Sequence, residues 1–347
     1  MFEMTSTTEL LLPPSRVAPP TDAPALRWGI LGPGWIAARF AEALRNHTSQ
    51  NISAVASRNA QRGATFAADW GIPSVYGNYD ELVSSSEVDV VYIATPHTSH
   101  FEHATLALEA GKHVVVEKPL ALDARQAHSI AEIARSKSLF AMEAMWSAFL
   151  PKFDVMDQVL SQGMLGEIGT VLADHGEHFE TDHRIYDPAL AGGPLLDLGT
   201  YAVYFAQMAL GPPTTVTAVG QQANSELNGQ ISAILTSPTG AHAVLNTTIL
   251  VDTPNLAAVC GSSGMLSTEG VFYRPGNFTV SLRDGRSARF VDDVSGYPAG
   301  LAYEAAEAAR RITNGELESP CHTMSDTIST LDTLDELRRV LGIDFPS

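Results

Sequence analysis

The feature that most limits what this chain can fold into is a regular alternation over residues 26–144. Short apolar runs at 26–31, 52–57, 75–76, 88–94, 113–116 and 139–144 are separated by Ala-rich helical stretches at 36–45, 59–70, 79–84, 99–110 and 123–136. The run at 88–94 is almost wholly apolar, as a strand buried on both faces should be. Strands alternating with helices at this spacing predict a doubly wound parallel sheet. Right-handed crossovers then place every strand's carboxyl end on one edge, which is where ligands bind in such sheets. On that edge fall Gly32, Ser57-Arg58, Thr95-Pro96-His97 and Glu117-Lys118.

Beyond a helix at 152–162 the pattern turns to strands, at 168–173, 215–220, 231–236, 241–250, 257–260, 264–269 and 278–282. Their apolar/polar alternation predicts an antiparallel sheet with unlike faces. Helices are expected at 195–210, 301–313 and 325–341. The expected architecture is an α/β Rossmann domain at 27–147 and an α+β C-terminal domain at 148–347. The second domain carries a large, mostly antiparallel open sheet that serves substrate binding and dimerisation. Residues 1–26 are rich in Pro, Thr and Ser and read as a flexible arm able to dock on the folded body; their only apolar run, Leu10-Leu11-Leu12, is too short for a signal peptide.

A net charge of −18 argues against nucleic acid and anionic membranes as partners. No apolar run approaches the ~20 residues of a membrane-spanning helix. The two cysteines, Cys260 and Cys321, form neither a metal spacing nor a disulfide framework, so a reducing, cytoplasmic setting is expected.

Gly32-Pro33-Gly34-Trp35-Ile36-Ala37 lies between a strand and a helix, the context that a dinucleotide fingerprint requires. Gly32 permits a tight turn, and Gly34 lets the backbone approach a pyrophosphate. The helix N-terminus offers free N–H groups to it. The second strand ends Ala56-Ser57-Arg58-Asn59, without the carboxylate that normally holds an NAD ribose. Arg58 suits a 2′-phosphate, Ser57 adds a hydroxyl and Arg62 lies one turn on. NADP(H) is the expected cofactor, with NAD(H) secondary.

Glu117-Lys118-Pro119 stands at the end of the apolar run Val114-Val115-Val116. An ammonium there is costly to desolvate, which suits it to proton chemistry, and the proline restricts the backbone beyond it. In the segment from Gly192-Gly193 to Tyr201, Asp197 and Tyr201 stand at i and i+4 and so share a helical face. A nearby Lys118 is expected to lower the Tyr201 pKa, making it the acid/base while Asp197 binds or orients substrate. A nucleotide turn and a positioned lysine on one sheet suggest a dehydrogenase.

These motifs resemble the glucose–fructose oxidoreductase / inositol dehydrogenase (Gfo/Idh/MocA) family over residues 27–343. The resemblance rests on Gly32-x-Gly34-x-x-Ala37, Ala94-Thr95-Pro96-His97-x-x-His100, Glu117-Lys118-Pro119 and the Gly192-to-Tyr201 segment. Met142-Glu143-Ala144-Met145-Trp146 and the 195–201 run are most similar to the branch of dimeric dihydrodiol dehydrogenases and NADP-dependent D-xylose 1-dehydrogenases. The resemblance implies Lys118, Asp197 and Tyr201 as the catalytic set. It implies Thr95, Pro96 and His100 near the cofactor and Trp146 by the nicotinamide, though by sequence alone Trp146 is equally a core aromatic; His97, Glu117 and Lys118, on the ligand edge, complete the cofactor set. Arg184 reads either as a substrate contact or as a carboxylate's partner, and His178 as a further substrate-side residue. A metal is not expected: His175 and His178 would point to opposite faces of an extended segment.

The resulting expectation is an NADP-dependent oxidoreductase for a CH–OH group of a sugar, polyol or cyclic vicinal diol, assembled as a homodimer or a dimer of dimers. Its rivals are trans-dihydrodiol dehydrogenation, redox-assisted glycoside cleavage with a retained NAD, and a non-catalytic NADP-binding sensor. The missing carboxylate after the second strand disfavours glycoside cleavage. Intact Lys118, Asp197 and Tyr201 disfavour a sensor, which has no need of a proton relay.

Overall fold

A computed structural model describes residues 9–224 and 227–345. The first half runs β1 (Arg27–Leu31), α1 (Trp35–His47), β2 (Asn51–Ala56), α2 (Ala60–Trp70), β3 (Ser74–Tyr76), α3 (Tyr79–Val83), β4 (Val90–Ile93), α4 (His100–Glu109), β5 (His113–Glu117), α5 (Ala124–Ser136) and β6 (Ala141–Ala144). The strands form one parallel sheet in the order β3-β2-β1-β4-β5-β6. All four residues of β4 are buried. Local chemistry sets the helix starts: Asn59, Asn78 and Asp123 each accept the backbone N–H three residues on. Gly71 closes α2 in the left-handed conformation.

The second half runs α6 (Pro151–Ser161), β7 (Ile168–Gly176), α7 (Thr200–Leu210), β8 (Thr215–Asn224), β9 (Leu227–Thr236), β10 (His242–Thr248), β11 (Ala257–Gly261), β12 (Gly264–Thr268), β13 (Phe278–Leu282), β14 (Ser287–Phe290), α8 (Gly296–Thr313) and α9 (Met324–Leu341). Its eight strands lie in the order β14-β13-β12-β11-β7-β10-β9-β8. All neighbours are antiparallel except β7 and β10. The sequence pattern misses β14, where a short, partly exposed strand carries little apolar signal. Val171, Ala173, Ala233, Leu235, Ala243 and Leu245 face inward, and α7 and α9 cover that face. The other face presents Leu172, Val244 and Ile234 in register across β7, β10 and β9. All three are exposed, as are Val219 and Met265.

The last two helices return to the Rossmann half: α8 packs on α1, and α9 packs on α5. One continuous apolar core therefore passes through both halves. A buried polar junction reinforces it. Glu143 in β6 accepts the Leu120 N–H (2.9 Å) and the Thr327 hydroxyl (3.1 Å), and it lies 2.9 Å from His322 Nε2.

The described part of the expected flexible arm, from residue 9 on, is docked. Leu10 is buried. Arg16 donates to Asp154 from its backbone N–H (2.6 Å) and from Nε (2.8 Å), and Gln158 donates to the Pro14 carbonyl (2.9 Å). Arg310 in α8 donates to the Pro19 carbonyl (2.6 Å). Gln50 bonds both the Leu26 N–H (3.0 Å) and the Pro24 carbonyl (2.8 Å). The arm thus ties α6 to α8 before entering β1. Placing a carboxylate at Leu10 buries an unpaired charge and should release this strap. Leu10→Asp is expected to speed proteolytic cleavage before residue 27 while far-UV circular dichroism stays native. Unchanged cleavage would show that the arm is not held by Leu10.

Candidate active site

Lys118 is the first residue past β5 and reaches across to the segment bearing Asp197. Its Nζ donates to the Asp197 carboxylate (2.6 Å) and to the Asp197 carbonyl (2.6 Å). The other carboxylate oxygen lies 3.6 Å from Arg184 Nη2. Of the two readings for Arg184, the structure shows the carboxylate partner. Burial opposes the charged form of Asp197, but the Lys118 and Arg184 cations override it and hold the carboxyl far below the usual range. Asp197 lies in a π-helical turn, Leu195–Gly199, ahead of α7, rather than in one α-helix spanning 195–210. Single π turns recur at functional sites because they re-aim a side chain. Asp197 and Tyr201 still share a side: Lys118 Nζ also stands 5.0 Å from the centroid of the Tyr201 ring.

Tyr201 is buried, and its hydroxyl accepts the Trp146 Nε1–H at 2.7 Å. The expectation that Lys118 lowers its pKa is overturned. Burial, with Tyr297 and Glu117 adding to it, pushes the phenol well above its ordinary value, and the Trp146 N–H opposes this only in part. The Lys118 ammonium is directed to Asp197, so Tyr201 keeps its proton. Trp146 is fixed from behind by α8: a Cβ on Gly300 would come within 2.5 Å of its ring.

A second wall, not anticipated from sequence, continues from Tyr201. Tyr273 stacks on it at 4.5 Å between centroids. The Tyr273 hydroxyl donates to Glu177 Oε1 (2.7 Å), and His175 Nε2 lies 3.3 Å from the same oxygen. Arg274 Nη2 donates to the Tyr273 hydroxyl (3.2 Å) and lies 3.5 Å from Glu177. Its guanidinium sits over both Tyr273 (5.3 Å) and Tyr297 (5.5 Å). Tyr297 meets Trp146 edge-on at 4.7 Å. Lys152, fully buried, holds this wall in place by donating to the carbonyls of Phe272 (2.9 Å) and Arg274 (3.0 Å). Burial pulls its pKa down to about 8. No periodicity marks Tyr273, Arg274 and Tyr297, which come from a loop and a helix start. The cluster Phe272-Tyr273-Arg274-Pro275 was the one local hint.

The dinucleotide turn lies on the same sheet edge. Gly32 has φ +87°, and a Cβ there would meet Ala94 O and Thr95 Cγ2 at 3.0 Å, so only glycine fits. Gly34 begins α1 without a side-chain cap, so the first N–H groups of the helix, at Trp35, Ile36 and Ala37, face outward for a phosphate. Among the described residues Trp35 is a largely exposed aromatic, 67% accessible, beside Tyr297. Arg58 is exposed past β2, and Ser57 is buried next to it. Arg62 is pinned to the turn, its Nε donating to the Pro33 carbonyl (2.9 Å).

Thr95 and His97 are buried after β4, with Pro96 exposed between them. His100 lies between the carbonyls of Thr95 and Pro119, 2.8 Å from each, and so braces the segment after Lys118. Burial lowers His97 to about 3 and His100 to about 4, so both are neutral near pH 7. Glu117 turns inward rather than to the surface and accepts the Tyr92 hydroxyl; burial raises its carboxyl to about 7. His178 is exposed, with Nδ1 3.0 Å from the Leu250 carbonyl, and touches none of these site residues by hydrogen bond, whereas His175 is buried. A separate cavity of about 370 Å³, lined by Pro194, Leu227 and Phe345 among others, contains none of Lys118, Asp197 and Tyr201.

The comparisons agree with this architecture. Residues 26–145 match the model described as the oxidoreductase family with an NAD-binding Rossmann fold, and residues 153–267 match the GFO/IDH/MocA C-terminal domain. The chain belongs to the Gfo/Idh/MocA oxidoreductase family. It is 34% identical to trans-1,2-dihydrobenzene-1,2-diol dehydrogenase from Bos taurus, with 93% of this chain and 98% of the bovine protein covered. It is 33% identical to the Homo sapiens enzyme of the same name, over 93% of this chain and 98% of the human one. Among solved structures, KijD10, a 3-ketoreductase from Actinomadura kijaniata in complex with NADP and TDP-benzene, superposes with a TM-score of 0.82. It is 28% identical, with 93% of this chain and 100% of that one covered. Levoglucosan dehydrogenase in complex with NADH, at 18% identity and TM-score 0.83 over 93% of this chain and 100% of that one, shares the fold. The protein is thus a nicotinamide-dinucleotide-dependent oxidoreductase of the dehydrogenase/reductase type.

Proposed function

We propose that this chain is an NADP-preferring oxidoreductase that interconverts a CH–OH group and a carbonyl in a sugar, polyol or cyclic vicinal diol. The observation that carries this reading is the convergence of Lys118, Asp197, Tyr201 and Trp146 at the carboxyl edge of the parallel sheet. The names of the curated relatives favour a vicinal diol. The aromatic wall of Trp146, Tyr201, Tyr273 and Tyr297 favours trans-dihydrodiol dehydrogenation as the second reading. The free cysteines suit a reducing cytoplasm.

When bound, the nicotinamide exchanges a hydride with the carbinol carbon. The chain's residues manage the remaining proton and charge. Tyr201 retains its phenolic proton while Trp146 occupies one lone pair of its oxygen. In reduction Tyr201 donates that proton to the carbonyl oxygen as the C–H bond forms, and the phenolate left behind is reprotonated from solvent; in oxidation the phenol first releases its proton to solvent, and the phenolate then takes the substrate's hydroxyl proton. Lys118, held by Asp197, places positive charge beside the developing alkoxide. Arg184 supports the Asp197 carboxylate from the side opposite Lys118.

Three measurements test this reading. Arg58→Ala should weaken NADPH by ~1–3 kcal/mol, the worth of a charged hydrogen bond, and leave NADH nearly unchanged. Equal losses for both would remove Arg58 from 2′-phosphate recognition. Tyr201→Phe should lower kcat by ~10²–10⁴-fold with NADPH affinity retained, as for a lost general acid. Near-normal kcat on the best substrate would exclude Tyr201 as the proton carrier. The third concerns assembly: the exposed Leu172–Val244–Ile234 row suits burial against a second copy. Sedimentation at micromolar concentration should give a homodimer or larger, and a monomer would refute it.

A further inference from the structure

One charged group beside the site has no part in the hydride and proton steps. Glu177 follows β7 and stands next to Tyr201 through Tyr273. Its side chain is one-third exposed, at 33%, although its neighbours Tyr273 and His175 are almost fully buried. Among the described residues, its side-chain hydrogen bonds all go to Oε1, from Tyr273 and His175, and none is made to Oε2. Hydrogen bonds from His175 and Tyr273 and the charge of Arg274, against the cost of burial, hold its carboxyl down to about 2. Glu177 is therefore a fixed anion throughout the physiological range, with one oxygen open.

Such a group is out of place if the wall only receives an arene. Covering the open oxygen with an apolar ring desolvates an anionic oxygen that has no hydrogen bond of its own. A hydroxylated ring instead brings an O–H donor to it. Arg274, whose guanidinium sits over Tyr273 and Tyr297, brings donors for a neighbouring ring hydroxyl beside Glu177. Resting on the oxidoreductase reading above, we infer that Glu177 and Arg274 form a specificity site. They bind a hydroxyl remote from the reacting carbon and so select a polyhydroxylated ring, a pyranose or cyclitol, over an arene dihydrodiol. A site built to pair a hydroxyl rejects the analogue that lacks it, because its own polar groups are then left unpaired.

The test is steady-state kinetics with NADP⁺ on two panels, aldopyranoses with cyclitols and trans-1,2-dihydrobenzene-1,2-diol, for wild type, Glu177→Leu and Glu177→Gln. Wild type should favour the polyhydroxylated panel. Glu177→Leu should lower kcat/KM on that panel by about 10- to 100-fold, mainly through KM, because the contact is made equally in ground and transition states. The same variant should leave the arene diol unchanged or improved. Glu177→Gln keeps one acceptor oxygen and should fall between. Equal losses on both panels would mark Glu177 as a structural support for Tyr273 and overturn the inference. Wild-type activity on the arene diol alone would also overturn it, with the oxidoreductase reading intact. Wild-type inactivity on both panels would instead overturn the reading and the inference together.

Discussion

The bond from Lys118 to Asp197 is the interaction on which the site depends. It joins the end of a parallel strand to a π-helical turn in the other half of the chain, at 2.6 Å. A lysine at that position without a partner would carry the full desolvation penalty of a charge at a half-buried edge. Paired, it holds the two halves in register and presents a cation to whatever lies over Tyr201. The pair is not sealed: its side chains remain 12% and 18% accessible. It is therefore partly accessible from outside, unlike a core salt bridge.

Around this pair the protein places charge sparingly and braces what it places. Lys152 is buried, yet both of its contacts are backbone carbonyls of the loop bearing Tyr273 and Arg274. Glu143 uses its two oxygens to tie β6, the segment after Lys118 and α9 together. Glu304 in α8 is the exception: it is fully buried, and neither carboxyl oxygen finds a partner among the described residues. Burial and the neighbouring Glu117 push its carboxyl well above the usual range, so it is kept neutral. The result is a site whose cations and anions are few, fixed and individually supported.

Much of this was legible from residue order. The alternation of runs led to the parallel sheet because each strand must be apolar on both faces and each helix on only one. The glycine turn was readable because left-handed backbone at Gly32 excludes other residues. Lys118, Asp197 and Tyr201 were singled out and do converge. The protonation of Tyr201 is not readable from residue order, because its desolvation depends on how completely Trp146, Tyr273 and Tyr297 enclose it. Enclosure is a property of packing, and no spacing encodes it. The arm illustrates the same point: its composition suggests a flexible segment able to dock, while the place it docks, on Asp154, Gln158 and Arg310, is set by elements more than a hundred residues away.

By itself, then, the amino-acid order determined the strand–helix alternation, the nucleotide-binding edge, the absence of a carboxylate after the second strand and the grouping of Lys118, Asp197 and Tyr201 as candidates. These are local properties, set by periodicity, backbone freedom and residue chemistry over a few positions. Only the tertiary structure decided that Lys118 pairs with Asp197 rather than acting on the Tyr201 hydroxyl, that Trp146 donates to that hydroxyl, and that Glu177, Tyr273 and Arg274 form a second wall. Each of those depends on long-range closure of two sheets and the returning helices. The distances and burial that result, not the residue types alone, set which charges meet.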